Sequence, residues 1–318
     1  MSNNKIDQFV NFKDYGGLKN LTILYLNDME TINATALFLS TLMSFSSLKT
    51  LYLSYNNAIQ IEITQEFHNV TISLEELFLD YNKLHINFPN IVKICPSLKY
   101  LSMRFCEFNG VSKIEELHNL TSLEELYLDG SKLPRSFLQF VAPFTSLEVL
   151  SMSYCKFNGI PQVQGPLNLK NLESLDMEYT ILNTSFSKIF RLGTSLQTLS
   201  LSNCGLSGTL ADQGLCELMD LEELDIGYND LRGALPPCLA NLTSLRQLDI
   251  SFNQIIGNIS SSPLDNLESI EVLHISDNLF QISISLNSFF NLSNLKDFKS
   301  ENNQVYTETM SYSMTPKF

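Results

Sequence analysis

Basic side chains are scarce in this chain of 318 residues. Twenty Lys and Arg stand against 34 Asp and Glu, which gives a formal net charge of −14 at pH 7. A surface that binds phosphates needs an excess of Lys and Arg, so this balance excludes nucleic acid as an expected partner. The same deficit disfavours an anionic membrane surface.

Long apolar runs are also missing. Hydrophobic residues make up 44% of the chain, yet no run approaches the ~18 residues that a membrane-spanning helix needs. No apolar segment follows Met1–Lys5, so the sequence has no recognisable signal peptide. We therefore expect no membrane-spanning segment in this chain.

Motifs that carry catalysis or hold a cofactor are absent from the sequence. The four His residues fall in four different repeats, and none lies near a Cys/His cluster with zinc spacing. The sequence contains no dinucleotide-binding, phosphate-binding, hydrolase or kinase motif. We expect a protein that is not an enzyme and that uses no cofactor or metal.

What the sequence does contain is one spacing, L-x-x-L-x-L-x-x-N/C/S/T-x-L, repeated along its whole length. Successive copies begin 24 to 27 residues apart, from Leu21 to Leu295. Self-similarity at this period is the leucine-rich repeat. It predicts an α/β solenoid, a right-handed superhelix of about 12 repeats with a parallel sheet on its concave side. We expect helical or irregular turns on the convex side, with a helix at 34–45.

The same period predicts how the chain is organised. No linker or low-complexity segment interrupts the repeats, so we expect a single domain over residues 1–318. Solenoids need terminal caps with a polar outer face to close their core. Neither end of the sequence carries such a cap, which predicts either an internal segment of a longer protein or a truncated gene product.

One repeat illustrates the expected geometry. Leu224 and Ile226 are two residues apart and face the core from a strand, whereas Asp225 between them points outward. Asn229 follows where the chain turns inward, and its amide can satisfy backbone groups of its own and neighbouring coils. After Met29 in the first repeat, the same position forms a polar ladder of Asn56, Asn82, Cys106, Ser131, Cys155, Thr180, Cys204, Asn229, Asn253, Asn278 and Asn303.

The cysteines fall into two groups of interest. Cys106, Cys155 and Cys204 occupy ladder positions two repeats apart, so we expect buried, reduced thiols that are too distant to pair. Cys216 and Cys238 lie in adjacent convex segments and form a candidate disulfide if the parent protein is secreted. A pair of buried thiols is the alternative for these two residues.

Asn-x-Ser/Thr motifs give seven candidate glycosylation sites. These sites are Asn33, Asn69, Asn119, Asn183, Asn241, Asn258 and Asn291. An eighth motif begins at Asn20, which lies at a strand start, where a glycan could interfere with packing or binding.

Aromatic residues gather at the position just before the ladder residue, in a row that we call the aromatic stripe. Its members are Tyr55, Tyr81, Phe105, Tyr154, Tyr179, Tyr228 and Phe252. Stacked strands lie ~5 Å apart, so the stripe follows one edge of the expected concave face, with gaps at Gly130, Asn203 and Asp277. Tyrosine is frequent at interfaces because it combines area, rigidity and a polar tip. The alternative is that these rings only shield the ladder. The position between the second and third apolar residues adds Tyr25, Tyr52, Phe78 and Tyr127.

Acidic residues collect beside the stripe. Asp80, Asp129 and Glu178 share one column, and Asp176, Asp225 and Asp249 share another. Such a face is complementary to a basic partner, or it is a solvated surface that keeps a long solenoid soluble. The candidate ligand-binding residues are therefore Tyr81, Phe105, Tyr154, Tyr179, Tyr228, Asp80, Asp129, Glu178 and Asp225.

Several convex segments carry a further pattern. Phe157–Pro161 and Leu231–Pro236 resemble the L-x-G-x-I-P extension of the plant-specific leucine-rich repeat. The stretch Gly214–Leu239 resembles the ectodomain of plant leucine-rich-repeat receptor-like proteins, and the resemblance covers nearly the whole chain.

That resemblance implies an extracellular solenoid at the plasma membrane, held in the full-length parent by one membrane helix. It also implies a peptide or protein ligand and a receptor-kinase co-receptor, in defence or development. This sequence departs from the family in lacking the signal peptide, the N-terminal cap, the membrane helix and the tail. Two other functions fit the repeats: a secreted inhibitor similar to polygalacturonase-inhibiting proteins, or an intracellular leucine-rich-repeat adaptor.

Overall fold

The computed structural model describes most of the chain, in segments. These are residues 18–28, 32–34, 42, 44–56, 59–61, 71–84, 95–108, 122–135, 137, 141, 144–158, 169–182, 195–210, 215–283 and 292–307. The chain divides into two compact units. Unit 1 comprises Met1–Asn183 and Arg191–Cys204, and unit 2 comprises Thr184–Phe190 and Gly205–Phe318.

Each coil of the described chain contributes one short strand to a parallel main sheet. In unit 1 these strands, numbered along the chain, are β1 (Ile23–Tyr25), β3 (Thr50–Tyr52), β5 (Glu76–Phe78), β7 (Tyr100–Ser102), β9 (Glu125–Tyr127), β11 (Val149–Ser151), β13 (Ser174–Asp176) and β14 (Thr198–Ser200). In unit 2 they are β16 (Glu223–Asp225), β18 (Gln247–Asp249), β20 (Val272–His274) and β22 (Asp297–Lys299). The predicted leucine-rich-repeat solenoid with a parallel sheet is confirmed.

A second parallel sheet runs along each unit, just after the ladder residues. In unit 1 it contains β2 (Ile32–Ala34), β4 (Ile59–Ile61), β6 (Lys83–Leu84), β8 (Glu107–Phe108), β10 (Lys132–Pro134) and β12 (Lys156–Asn158). In unit 2 it contains β15 (Ser207–Thr209), β17 (Asp230–Ala234), β19 (Gln254–Asn258), β21 (Leu279–Ser283) and β23 (Gln304–Tyr306). The sequence pattern had not predicted these strands.

The register of the main sheet places identical repeat positions side by side. Leu101 is paired with Leu126, and Leu150 with Leu175, so the second apolar position of every coil meets its own copy. These leucines are buried. Period-2 alternation sends the residue between the apolar positions to the opposite face, so the outward residues also form straight columns.

The described ladder residues are buried, except for the half-buried Asn229 and Asn303, and they are hydrogen-bonded as expected. In unit 2, the amide of Asn253 donates to the carbonyls of Ile226 (3.0 Å) and Ile250 (3.1 Å) and accepts from the backbone N–H of Leu231 (3.0 Å). In unit 1, the Cys155 thiol donates to the carbonyl of Leu128 across one coil, at 3.1 Å. Met29, the first position of the column, lies outside the described residues.

Helical turns were predicted for the segments that return from one strand to the next. In unit 2 they contain 3₁₀ helices at Leu215–Glu217, Pro237–Asn241, Ile259–Ser261 and Pro263–Asn266. Most of the predicted helix at 34–45 lies outside the described residues. Its first residue, Ala34, belongs to strand β2, so the proposed start is wrong.

Candidate recognition surface

The aromatic stripe sits on a backbone turn that the sequence analysis missed. Every stripe residue has a positive φ, between 53° and 61°. The left-handed region is unusual for bulky residues, but here it is supported by a hydrogen bond. Tyr154, for example, donates its N–H to the carbonyl of Glu178 at 2.7 Å. The same column holds Asp28, Gly130, Asn203 and Asp277, residue types that favour positive φ, and this was the overlooked signal.

The turn leaves the stripe side chains exposed and brings their rings into stacks. The ring centroids of Tyr55 and Tyr81 lie 4.5 Å apart, and those of Tyr81 and Phe105 lie 4.6 Å apart. A second stack in unit 1 joins Tyr154 to Tyr179 at 4.6 Å, with interplanar angles below 15° in all three pairs. At these centroid separations the ring faces cover one another, so the ring edges and the tyrosine hydroxyls face outward.

The predicted gap at Gly130 is not an opening. A Cβ atom at Gly130 would lie 2.3 Å from the Phe105 ring, so that ring occupies the space over the glycine. Because Gly130 also has a φ of 69°, a side chain there meets both a clash and backbone strain. The glycine therefore leaves room for the Phe105 ring to lie over this coil.

A second aromatic column runs through the strands themselves. Rings stack from Tyr25 to Tyr52 (4.4 Å) and on to Phe78 (4.2 Å), then tilt to Tyr100 (4.9 Å) and Tyr127 (5.2 Å). Tyr100 occupies a different repeat position from the other four, so the sequence columns did not include it. It fills the place beside Ser102 where the column would otherwise break.

Arg104 lies between the two aromatic columns and is fixed from two sides. Its guanidinium carbon is 4.3 Å from the centroid of the Tyr127 ring, and its Nε donates to Asp129 at 2.9 Å. The Tyr127 hydroxyl donates to Glu125 at 2.8 Å. Burial, and then this hydrogen bond, raise the pKa of Tyr127 to about 12, so the phenol stays protonated under ordinary conditions.

The acidic residues of unit 1 are held by serine hydroxyls from neighbouring coils. Asp80 accepts from Ser102 at 2.6 Å, and Asp129 accepts from Ser151 at 2.5 Å. Glu178 accepts from Ser200 at 2.7 Å. These bonds offset part of the repulsion within a column of like charges and fix where each carboxylate points.

Unit 2 presents a shorter version of the same face. Tyr228 and Phe252 stack at 4.1 Å, and Asp225 accepts the backbone N–H of Gly227 at 2.9 Å. His274 lies with its Nδ1 3.2 Å from Asp249 and its Nε2 3.0 Å from Asp297. The hydrogen bond from His274 lowers the pKa of the Asp297 carboxyl below its usual value.

The two candidate modification classes fall in different places. Cys216 and Cys238 are joined by a disulfide in the structure, with their Cα atoms 5.6 Å apart. Asn241 is exposed at the end of a 3₁₀ helix, whereas Asn258 accepts from Ser260 and donates to the Tyr306 hydroxyl at 3.1 Å. Asn33 lies in strand β2. Four candidates lie outside the described residues: Asn69, Asn119, Asn183 and Asn291.

Two kinds of site are absent from the described part of the chain. Within it, no group of three or more His, Cys, Asp and Glu residues could hold a metal ion. Among the same residues, no helix has the length and apolar character to cross a membrane.

Family models of the leucine-rich repeat match residues 195–214, 220–242 and 241–259. The matched ranges include Leu231–Pro236 but not Phe157–Pro161. No curated protein sequence matches the chain.

Solved structures share the fold over nearly the whole chain. PEPR1 in its complex with AtPEP1 is 27% identical, with a TM-score of 0.69 over 91% of this chain and 43% of that one. The Arabidopsis receptor kinase HAESA, solved with the peptide hormone IDA and the co-receptor SERK1, is 23% identical, with a TM-score of 0.69 over 94% and 49%. An internalin from Listeria monocytogenes is 20% identical, with a TM-score of 0.64 over 91% and 83%.

The fold is that of the leucine-rich-repeat solenoid. The plant receptor ectodomains in these comparisons are much longer, and the chain spans 40 to 53% of their length. The bacterial internalin shares the fold as well, so the fold alone does not assign a ligand.

Proposed function

We propose that this chain is a recognition segment of a plant cell-surface receptor, without catalytic activity, and that the main-sheet face of unit 1 binds a peptide or protein. The observation that carries the proposal is the pair of exposed aromatic stacks set among fixed carboxylates. Tyr154 is 56% exposed and Tyr179 is 43% exposed, although both rings are large and partly apolar. Side chains of this kind dominate the energetics of protein interfaces.

The arrangement also suits a partner that lies across the strands. Stripe aromatics lie on five of the coils between Tyr55 and Tyr179, and the acids Asp80, Asp129 and Glu178 lie on every second coil, so a ligand that crosses several coils meets both kinds of side chain. Acids exceed bases on this face, which supports a partner with positive charge. The solved complexes of PEPR1 with AtPEP1, and of HAESA with the peptide hormone IDA and the co-receptor SERK1, support a partner of this kind.

Location on the extracellular face of the plasma membrane is part of the same proposal. The bond between Cys216 and Cys238 supports it, because structural disulfides persist in oxidising compartments. A receptor-kinase co-receptor and glycosylation at the exposed Asn241 belong to it as well. A single domain over residues 1–318, within a longer parent, is also a proposal.

The test is a selection for binders. The whole chain is immobilised and used to enrich a displayed library of random twelve-residue peptides, and each enriched peptide is measured against the Tyr154→Ala/Tyr179→Ala double variant. We expect the loss of two interface rings to weaken binding by at least ~2 kcal/mol. Met219→Ala, which removes an exposed apolar side chain in unit 2, is the matched control and should leave affinity unchanged. If the enriched peptides bind the folded double variant as well as the wild type, the stripe is scaffold.

A further inference from the structure

Unit 1 repeats its outward chemistry at every second coil. Ser102 donates to Asp80 at 2.6 Å, and two repeats later Ser151 donates to Asp129 at 2.5 Å. The backbone N–H of Arg104 donates to Asp80 at 2.8 Å, and that of Ser153 donates to Asp129 at 3.0 Å. The two coils therefore hold their carboxylates by the same pair of bonds.

The rest of these two coils matches in the same way. Phe105 donates its N–H to the carbonyl of Asp129 at 2.6 Å, as Tyr154 does to that of Glu178 at 2.7 Å. The N–H of Cys106 is bound by Ser131 and that of Cys155 by Thr180, both at 2.9 Å. Because these hydrogen bonds match, the coil at 149–154 serves as an internal comparison for the coil at 100–105, from which it differs at Val149, Ser153 and Tyr154.

The earlier coil shows how this scaffold holds a guanidinium. Arg104 pairs with Asp129 on the following coil at 2.9 Å and stacks on the Tyr127 ring at 4.3 Å. Its side chain remains 33% exposed, so the group lies at the surface of the face rather than in the core. A carboxylate and a ring from the next coil hold it, together with Ser102 of its own coil, whose hydroxyl lies 3.4 Å from Nη1 of Arg104.

The later coil has the carboxylates without the cation. Ser153 stands in the place of Arg104, Glu178 in that of Asp129, and Asp176 in that of Tyr127. The Ser153 hydroxyl donates to Oδ1 of Asp176 at 2.5 Å, and Ser200 donates to Oε1 of Glu178 at 2.7 Å. In the described chain, residues 149–154, 174–179 and 198–203 contain no Lys or Arg to balance these charges.

We propose that an arginine side chain of a polypeptide partner occupies the position above Ser153 that Arg104 fills two repeats earlier. It pairs with Asp176 and Glu178 on the adjacent coil and lies beside the exposed Tyr154–Tyr179 stack. Two carboxylates side by side suit the planar fork of a guanidinium better than the single point charge of lysine. This inference rests on the proposed function and adds that the partner contributes an arginine side chain.

The experiment uses the whole chain and two capped peptides. The first has the sequence Gly-Pro-Arg-Gly-Pro-Arg-Gly, and in the second the neutral isostere citrulline replaces both arginines. Calorimetry should give the arginine peptide an affinity at least about tenfold higher. Ser153→Arg, which supplies the missing guanidinium internally, should abolish that preference. Asp176→Asn/Glu178→Gln should abolish it too, and Ser153→Ala should keep it.

Two controls separate the site from general charge effects. Gln254→Arg adds the same charge at an exposed position in unit 2 and should leave the preference intact. A crystal structure of Ser153→Arg should place the new guanidinium against Asp176 or Glu178, which tests the site without any ligand.

The outcomes are distinct from those of the binder selection. Equal affinities for the two peptides, no binding of either at millimolar concentration, or a preference that survives the acid double variant would overturn the arginine site. If library peptides still depend on Tyr154 and Tyr179 in that case, the surface stands and only its arginine site is wrong.

Discussion

The polar ladders of the two units satisfy buried backbone groups with different side chains. In the described residues, unit 2 uses only asparagine, at Asn229, Asn253, Asn278 and Asn303, whereas unit 1 mixes Asn with Cys, Ser and Thr. An asparagine donates and accepts at once, but a thiol accepts hydrogen bonds only weakly. The difference shows what a coil does when its neighbour supplies no acceptor.

Where the next ladder residue can accept, it takes a backbone N–H from the preceding coil. Asn82 accepts from the N–H of Asn56 at 2.7 Å, and Ser131 accepts from that of Cys106 at 2.9 Å. Where the next residue is cysteine, the N–H turns back into its own coil. Ser131 donates its N–H to Leu128, and Thr180 donates to Met177, both at 3.1 Å.

Unit 2 differs in which N–H its asparagines accept. Asn253 accepts from Leu231, and Asn278 accepts from Ile255, each donor lying two residues beyond a ladder position and inside the second sheet. Asparagine there joins the ladder to β17 and β19. These two strands have five residues, whereas those of the second sheet in unit 1 have two or three.

The largest expected effect is on the rate at which the buried thiols of unit 1 react. Burial raises the pKa of Cys106 and of Cys155 from 9.0 to about 12. The reactive thiolate should therefore be about 1,000-fold rarer at pH 8 than in an exposed thiol. Labelling of native protein with a maleimide at pH 8 should be slow and should accelerate only as unit 1 opens.

The sign of the pH dependence follows from the same shifts. The unfolded thiol ionises near its ordinary value of 9.0, whereas the folded thiol stays neutral up to about 12. Unit 1 should thus lose stability as the pH rises above about 9. Rapid labelling of these residues in folded protein at pH 8 would show that the ladder assignment is wrong.

The second effect compares core leucines in the two units. Leu175 and Leu224 hold the same repeat position and are both buried. Replacing either with alanine removes a packed side chain and should cost about 2–5 kcal/mol. Amide exchange in denaturant measures each loss where it occurs, and a change below ~1 kcal/mol at either position would contradict its place in the core.

The third effect belongs to the covalent link of unit 2. The bond between Cys216 and Cys238 closes a loop with a sequence separation of 22. In the chain-entropy account, such a link stabilises by about 3 kcal/mol. The Cys216→Ser/Cys238→Ser variant should show that loss in equilibrium unfolding, with peptide mapping of the wild type to identify the bridged pair. Unchanged stability, or the absence of the bridged peptide from secreted protein, would exclude a structural disulfide.

The fourth effect is the direct test of the ladder comparison. Asn253→Ala leaves the N–H of Leu231 and the carbonyls of Ile226 and Ile250 without their partner, so we expect a loss of about 1–3 kcal/mol. Cys155→Ser keeps a donor to the carbonyl of Leu128 and should cost less. Both are read from denaturant midpoints, and a larger loss for Cys155→Ser would reverse the comparison.

The fold could be predicted from the sequence because each period corresponds to one coil and fixes which of its residues face the core. Leu101, Leu126 and Leu150 are buried in register as the spacing predicts, and most of the described ladder positions are buried where the pattern places them. The positions of the stripe aromatics also follow from the period. Nothing local identifies the partners of the acids, because Ser151 and Asp129 meet only when two coils are stacked. Tyr100 and Arg104 were missed for the same reason: their neighbours belong to other repeats.

The smallest expected effect concerns the outward residue Asp225. As an outward residue, Asp225 would tolerate alanine with little change. In the structure, its carboxylate accepts the N–H of Gly227 at 2.9 Å and lies where a Cβ on that glycine would approach it to 3.2 Å. The carboxylate therefore stabilises the turn that leads to Tyr228, and Asp225→Ala should lose about 1 kcal/mol. Asp225→Asn keeps an acceptor oxygen and should lose less, which separates the hydrogen bond from the charge. The stability of both variants is measured from their denaturant midpoints. Equal losses of stability would assign the effect to the charge, and no loss in either variant would show that Asp225 does not stabilise the turn.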